Sequence, residues 1–167
     1  LQFTSVVDNA QVNGIEVLGT TGGTGQKVQL NSGGNAVSPF IADTDFTGGT
    51  AVTSTNTIST AGVSNPAPQA VYQSNRYGNF SYSIPTLTAN ASYTVRLHFA
   101  ESYWTQAGQR TFNVSINGQS VLNNFDIVAA AGGANKAVVQ QFTAQADSSG
   151  KITIQFTTVK DNAQVNG

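Results

Sequence analysis

Tyr93-Thr94-Val95-Arg96-Leu97-His98-Phe99 is the stretch that decides the fold. Its apolar residues take every second position, and Thr94, Arg96 and His98 stand between them. A period of two belongs to a strand with one face in a core and one face turned outward. Upstream, Phe80, Tyr82 and Ile84 alternate with Ser81 and Ser83; downstream, Phe112, Val114 and Ile116 alternate with Asn113 and Ser115. Asn117-Gly118 then supplies a strong hairpin signal, which makes Val121-Leu122 the returning partner. Residues 138–144 read as another strand and 147–150 as a turn. No window carries a helical period. Short alternating strands punctuated by turns predict an all-β chain, a jelly-roll β-sandwich of two antiparallel sheets.

Farther out the pattern weakens. Residues 40–68 are rich in Thr, Ser, Gly and Asn and read as loops and short edge strands. Lys27-Val28-Gln29-Leu30 opens the domain, and the Gly/Thr run before it reads as a flexible linker. At the two ends the chain repeats itself. LQFTSVVDNAQVNG at residues 1–14 returns as IQFTTVKDNAQVNG at 154–167, with only Leu1, Ser5 and Val7 replaced. Self-similarity at the period of a whole domain implies one unit of a tandem array. The expected division is therefore 1–17 as terminal strands belonging to a preceding unit, 18–26 as linker, and 27–167 as the sandwich.

With 167 residues the chain is long enough for one sizeable core. Net charge is −1 and 9% of residues are charged, so nothing attracts nucleic acid or an anionic membrane. There is no Cys, so neither disulfides nor thiolate chemistry arises. No apolar run is long enough to insert in a bilayer. The composition fits an exported bacterial or archaeal surface protein, extracellular or held at the cell surface. Its expected partners include neighbouring copies of the same repeat.

Several spaced blocks carry a resemblance. They are residues 71–85, VYQSNRYGNFSYSIP; 93–104, YTVRLHFAESYW; 108–118, GQRTFNVSING; Asn124-Phe125-Asp126-Ile127; and 161–167, DNAQVNG. Together, over residues 27–167, they resemble the malectin and malectin-like carbohydrate-binding domains. The resemblance implies a jelly roll with a sugar site on loops at one end. It implies Tyr77, Tyr103, Trp104 and Asp161 as carbohydrate-binding residues, with Asp8 the duplicate of Asp161. A tyrosine that the family places before residue 71 is missing, since residues 48–60 hold no aromatic.

The chemistry of those residue types suits a neutral oligo- or polysaccharide. Rings stack on the C–H faces of a sugar, and a carboxylate takes its hydroxyls. Each residue also has a plain structural reading: one of the Tyr103-Trp104 pair capping the core edge, Tyr77 packing at a sheet corner, Asp161 capping a turn. Arg76 and Glu101 are candidates for a structural ion pair, and Asp43 with Asp45 for a structural calcium. No other cofactor is expected. His98, the only histidine, reads as a surface residue, and no acid pair suits glycoside hydrolysis. The sequence thus predicts a non-catalytic sugar-binding repeat of an extracellular protein. The alternative is a structural repeat of an adhesin stalk or self-assembling filament joined by strand exchange, without significant sugar binding.

Overall fold

A computed structural model describes residues 10–20 and 25–160. Two antiparallel sheets pack face to face. The larger holds β1 (Ala10–Val12), β4 (Phe46–Thr53), β5 (Ser74–Ile84), β7 (Thr111–Ile116), β8 (Gln119–Phe125) and β10 (Ile152–Lys160). The smaller runs β3 (Lys27–Asn31), β2 (Gly14–Gly19), β6 (Ser92–Ala100), β9 (Ala137–Gln145). The β-sandwich predicted from alternation is therefore the fold.

The alternation of 93–99 translates directly into burial. Tyr93, Val95, Leu97 and Phe99 are fully buried and meet Tyr82, Ile84, Phe112, Ile152 and Ile154 from the facing sheet. Phe80 and Phe156 are register partners on β5 and β10, and their rings stack at 4.5 Å. Each such side chain stabilises the fold by about 1.5–3 kcal/mol. Between β7 and β8, Asn117 and Gly118 have φ of 50° and 78°, as a two-residue turn with both residues left-handed requires.

Two readings differ from the structure in detail. The first concerns helix, for which no window carries a period: among the described residues a 3-10 turn spans Gln69–Gln73 and one short α-helix, α1, spans Ile127–Ala131. Asp126 caps it by accepting the Ala129 N–H at 3.0 Å, and Gly132 ends it at φ 70°. Five residues are too few to show a period. The second is His98, which is fully buried rather than on the surface. The outward face of β6 is roofed by the segment after β4, and Ile58, Ala67, Val71 and Tyr72 form a second core there with Phe40, Ala100 and Ala137. Weak periodicity hid this roof, because a covering loop buries single residues rather than a stripe.

Of the stretch 1–17 expected as terminal strands duplicated from a preceding unit, and the linker expected over 18–26, residues 10–12 and 14–19 lie as strands in this sandwich. β2 lies inside the smaller sheet, with Ile15 opposite both Leu30 and Leu97. Ala10, Val12, Ile15 and Val17 are fully buried. The stretch assigned to a linker begins as strand, since Leu18 pairs with Lys27. The rest of the repeated ends, 1–9 and 161–167, lies outside the described residues, as does linker 21–24.

Candidate functional site

β6 ends at Ala100, and the chain leaves it through Glu101-Ser102-Tyr103-Trp104. Glu101 is 1% exposed, and its Oε1 accepts the N–H groups of Tyr103 at 2.9 Å and Trp104 at 3.1 Å. The other oxygen, Oε2, accepts Nε–H of Arg110, itself 3% exposed. A buried carboxylate neutralised by a guanidinium thus holds two consecutive backbone amides. This fixes the loop at the point where it presents its rings. Tyr103 is 66% exposed and stands edge-on to the half-buried Trp104, with centroids 4.9 Å apart and planes at 85°.

Beside this loop lies the stretch in which the family tyrosine is missing. Asn56 Nδ2 donates to the Ser102 carbonyl and to Asn135 Oδ1, both at 3.0 Å, and the Asn135 N–H donates to the Glu101 carbonyl at 2.7 Å. Gln73 Nε2 in turn holds the Asn56 carbonyl at 2.9 Å. An exposed amide therefore borders the loop that carries the aromatic pair. Nothing in the residue pattern around Asn56 marks it, because its partners are 46 and 79 positions away.

Tyr77 sits on β5, partly buried, opposite Gln11 of β1 and Thr50 of β4. β1 ties that strand to the base of the aromatic loop: Gln11 Nε2 donates to the Ala100 carbonyl, and Asn13 Oδ1 accepts the Ala100 N–H. The structure thus brings Tyr103 and Trp104 into ring contact and places Tyr77 on a strand linked to their loop through β1. Asp161 and its duplicate Asp8 lie outside the described residues.

The expected Arg76–Glu101 pair does not form, because each has another partner. Arg76 Nη2 is 2.6 Å from Asp43 Oδ2, its Nη1 donates to the Gly48 carbonyl at 2.8 Å, and its guanidinium covers the Phe46 ring at 3.3 Å. Asp43 also accepts the Tyr82 hydroxyl at 2.7 Å. That carboxylate is neutralised within the protein, so it is not free to share a calcium with Asp45. Among the described residues no group of three acids or histidines could hold a metal ion.

A second polar cluster lies under the roof. Glu16 accepts from Arg96 Nη1 at 2.7 Å and Gln29 Nε2 at 2.5 Å, and its Oε2 is 3.3 Å from His98 Nε2. Tyr72 Oη lies 2.9 Å from His98 Nδ1 and accepts the Ala67 N–H at 3.3 Å. In the tautomer that carries its proton on Nε2, facing Glu16, His98 accepts the Tyr72 hydroxyl at Nδ1. Burial raises Glu16, but the His98 and Gln29 hydrogen bonds and the Arg96 charge outweigh it and bring the carboxyl down to about 2. Burial lowers His98 against the pull of Glu16, and burial pushes Tyr72 up to about 12. Carboxylate, imidazole and hydroxyl stand in line, but His98 and Tyr72 are fully buried, so the line braces the roof rather than meeting a substrate. Arg96 Nη2 completes the brace by holding the Ser64 and Asn65 carbonyls at 2.9 and 3.0 Å. A groove of about 300 Å³ runs beside Arg96, Val63 and Gln141, and none of the predicted ring residues lines it.

The same arrangement of sheets is found in solved proteins. The ectodomain of ANX2 from Arabidopsis thaliana superposes with a TM-score of 0.72 at 22% identity, covering 96% of this chain and 52% of that one. The receptor-like kinase FER gives 0.70 at 20% identity, over 83% of this chain and 47% of its own. Such identities show the fold alone. By sequence, Malectin-B of Xenopus laevis is 38% identical over 71 residues, 41% of this chain and 25% of that protein. Human malectin is likewise 38% identical over 71 residues, 41% of this chain and 24% of its own length. Kinesin-like protein KIN-14E of Oryza sativa is 32% identical over 152 residues, 83% of this chain but 14% of its own. The chain thus spans a quarter or less of these three relatives. The family model for the Malectin domain matches residues 27–167. That match takes in every strand from β3 onward and the aromatic loop, and by it the chain belongs to the malectin domain family.

Proposed function

We propose that this domain is a non-catalytic module, displayed outside the cell, that binds neutral carbohydrate on the loop carrying Tyr103 and Trp104. The observation that carries the reading is an exposed Tyr103 ring set against Trp104 on a backbone that buried Glu101 and Arg110 hold in place. Exposed aromatic surface is costly to keep in water, and rings on a fixed loop lose little entropy when a sugar face stacks on them. Asn56, whose Nδ2 is held by Ser102 and Asn135, supplies its Oδ1 as an acceptor at the border, and Tyr77 a further hydroxyl from the strand beside β1. The carboxylate that takes sugar hydroxyls is Asp161 or its duplicate Asp8, according to which copy of the repeat leads into the strand opposite Gly78.

Membership of the malectin family and likeness to extracellular ectodomains support this reading. It is tested with the full chain on a glycan array, followed by calorimetry of the best neutral oligosaccharide. Trp104→Ala is expected to lower affinity by about 1–3 kcal/mol, the scale of an anchor residue, with the folded far-UV spectrum intact. A variant that binds as well as the parent, or a parent that binds no neutral glycan, refutes it.

A further inference from the structure

One path through the sandwich is written twice in this chain. β10 pairs with β5 from Ile152 opposite Ile84 to Phe156 opposite Phe80. β1 continues on the same side of β5, with Ala10, Gln11 and Val12 opposite Gly78, Tyr77 and Arg76. β2 then crosses to the other sheet and lies between β3 and β6. The C-terminal copy of the repeat thus supplies β10, and the N-terminal copy supplies β1 and β2. Residues 1–19 alone spell the path from the counterpart of Ile154 onward, with Leu1 and Phe3 standing for Ile154 and Phe156, and residues 163–167 repeat 10–14 without a change. Each slot that both copies spell has more candidate occupants than places.

We propose that the β1–β2 slot is an interface for a second copy of this chain: the segment ending in β2 leaves its own sandwich and seats in that of a neighbour. The occupant is specified by the slot. Gln11 and Asn13 are fully buried, with their amides on Ala100, and Glu16 is the buried partner of Arg96. A strand lacking those groups would take the Asn13 and Gln11 amides from Ala100 and the Glu16 carboxylate from Arg96. Within the sequence only the two copies carry Ala-Gln-Val-Asn-Gly, and only the first runs on through Ile15-Glu16-Val17. The contacts are the same whether the strand comes from the same chain or another. The stretch between β2 and β3 includes Thr20-Thr21-Gly22-Gly23-Thr24-Gly25, which has the composition of a linker. Donation from each chain to the next is a heterologous contact, which closes into rings or grows as a filament. It requires no sugar.

The absence of Cys gives a clean test. Leu18 and Lys27 are opposite one another on β2 and β3, half-buried and exposed respectively. Full-length Leu18→Cys and Lys27→Cys chains are unfolded, mixed, refolded together at low and high concentration, and oxidised. Strand exchange predicts a covalent 18–27 heterodimer in clear excess over like-with-like dimers, rising with concentration. The chain carrying both substitutions should then give a ladder of oligomers. If the mixture gives no excess of the heterodimer while the doubly substituted chain oxidises to a monomer alone, the slot is filled only from within and the proposal is wrong. That monomer also shows that the substituted chain folds and the bond can form. Mass spectrometry of the linked peptide identifies the pair.

Discussion

Glu101 does two jobs with one carboxylate, and the consequences separate cleanly. It neutralises Arg110 in the interior and holds the Tyr103 and Trp104 amides. Glu101→Ala removes the carboxylate that neutralises Arg110 at 3% exposure. Removing one partner of a buried pair costs about 3–5 kcal/mol. Urea unfolding should show that loss, and sugar affinity should fall as well because the rings lose their fixed backbone. Glu101→Gln keeps an acceptor for the two amides, so it should lose stability yet retain more binding than the alanine variant. Equal stability of Glu101→Ala and the parent would mean that Arg110 finds solvent and the pair is not an anchor. Tyr103 and Trp104 were readable as loop aromatics because they follow an unbroken alternation. Their tether was not, since Glu101 and Arg110 sit at opposite ends of a loop whose path no local pattern fixes.

At the scale of elements, β2 and β6 are joined by charge as well as by backbone, and this makes the sheet sensitive to acid. His98 lies below its ordinary value of 6.5 in the folded chain, through burial, so folding favours its neutral form. Glu16 lies at about 2 against 4.5, where hydrogen bonds from His98 and Gln29 and the Arg96 charge outweigh burial. In both cases the unfolded chain binds protons more readily, so stability rises with pH. The His98 contribution is complete above about 6.5 and begins to fade below it; the Glu16 contribution fades between about 4.5 and 2. Urea midpoints measured from pH 8 to 3 should fall in those two steps, and His98→Gln should abolish the first. A flat profile down to pH 5 in the parent would contradict the neutral, buried His98. Farther along, Gly33 has φ 73°, and a Cβ there would lie 2.0 Å from the Asn75 carbonyl oxygen. Gly33→Ala should cost at least about 1–2 kcal/mol in urea, the left-handed penalty alone; an unchanged midpoint would show that the turn reshapes freely.

For the whole molecule, the sequence carried the two-sheet sandwich because strands 80–84, 93–99, 112–116 and 152–156 each turn alternate apolar residues into the core between the sheets, and period two reports that plainly. It did not carry the roof of residues 54–73, whose Ile58, Val71 and Tyr72 are buried singly over the polar side of β6. Nor did it assign β1, because Ala10-Gln11-Val12 returns at 163–165 and either copy spells that slot; β2, which only the first copy spells, was read together with it. Of the candidate site, the rings and their family were legible, while Asn56 and the Glu101–Arg110 tether depended on contacts between distant loops. The central claim is that the loop after β6 is a sugar platform, and Trp104 is the only tryptophan in the chain. Its intrinsic fluorescence therefore reports that loop and nothing else. Titration of the folded protein with neutral oligosaccharides should give a saturable change in emission intensity or wavelength, lost in Trp104→Phe and weakened in Glu101→Ala. An emission spectrum unchanged by every neutral oligosaccharide that the protein binds would contradict the account, because the sugar would then sit elsewhere.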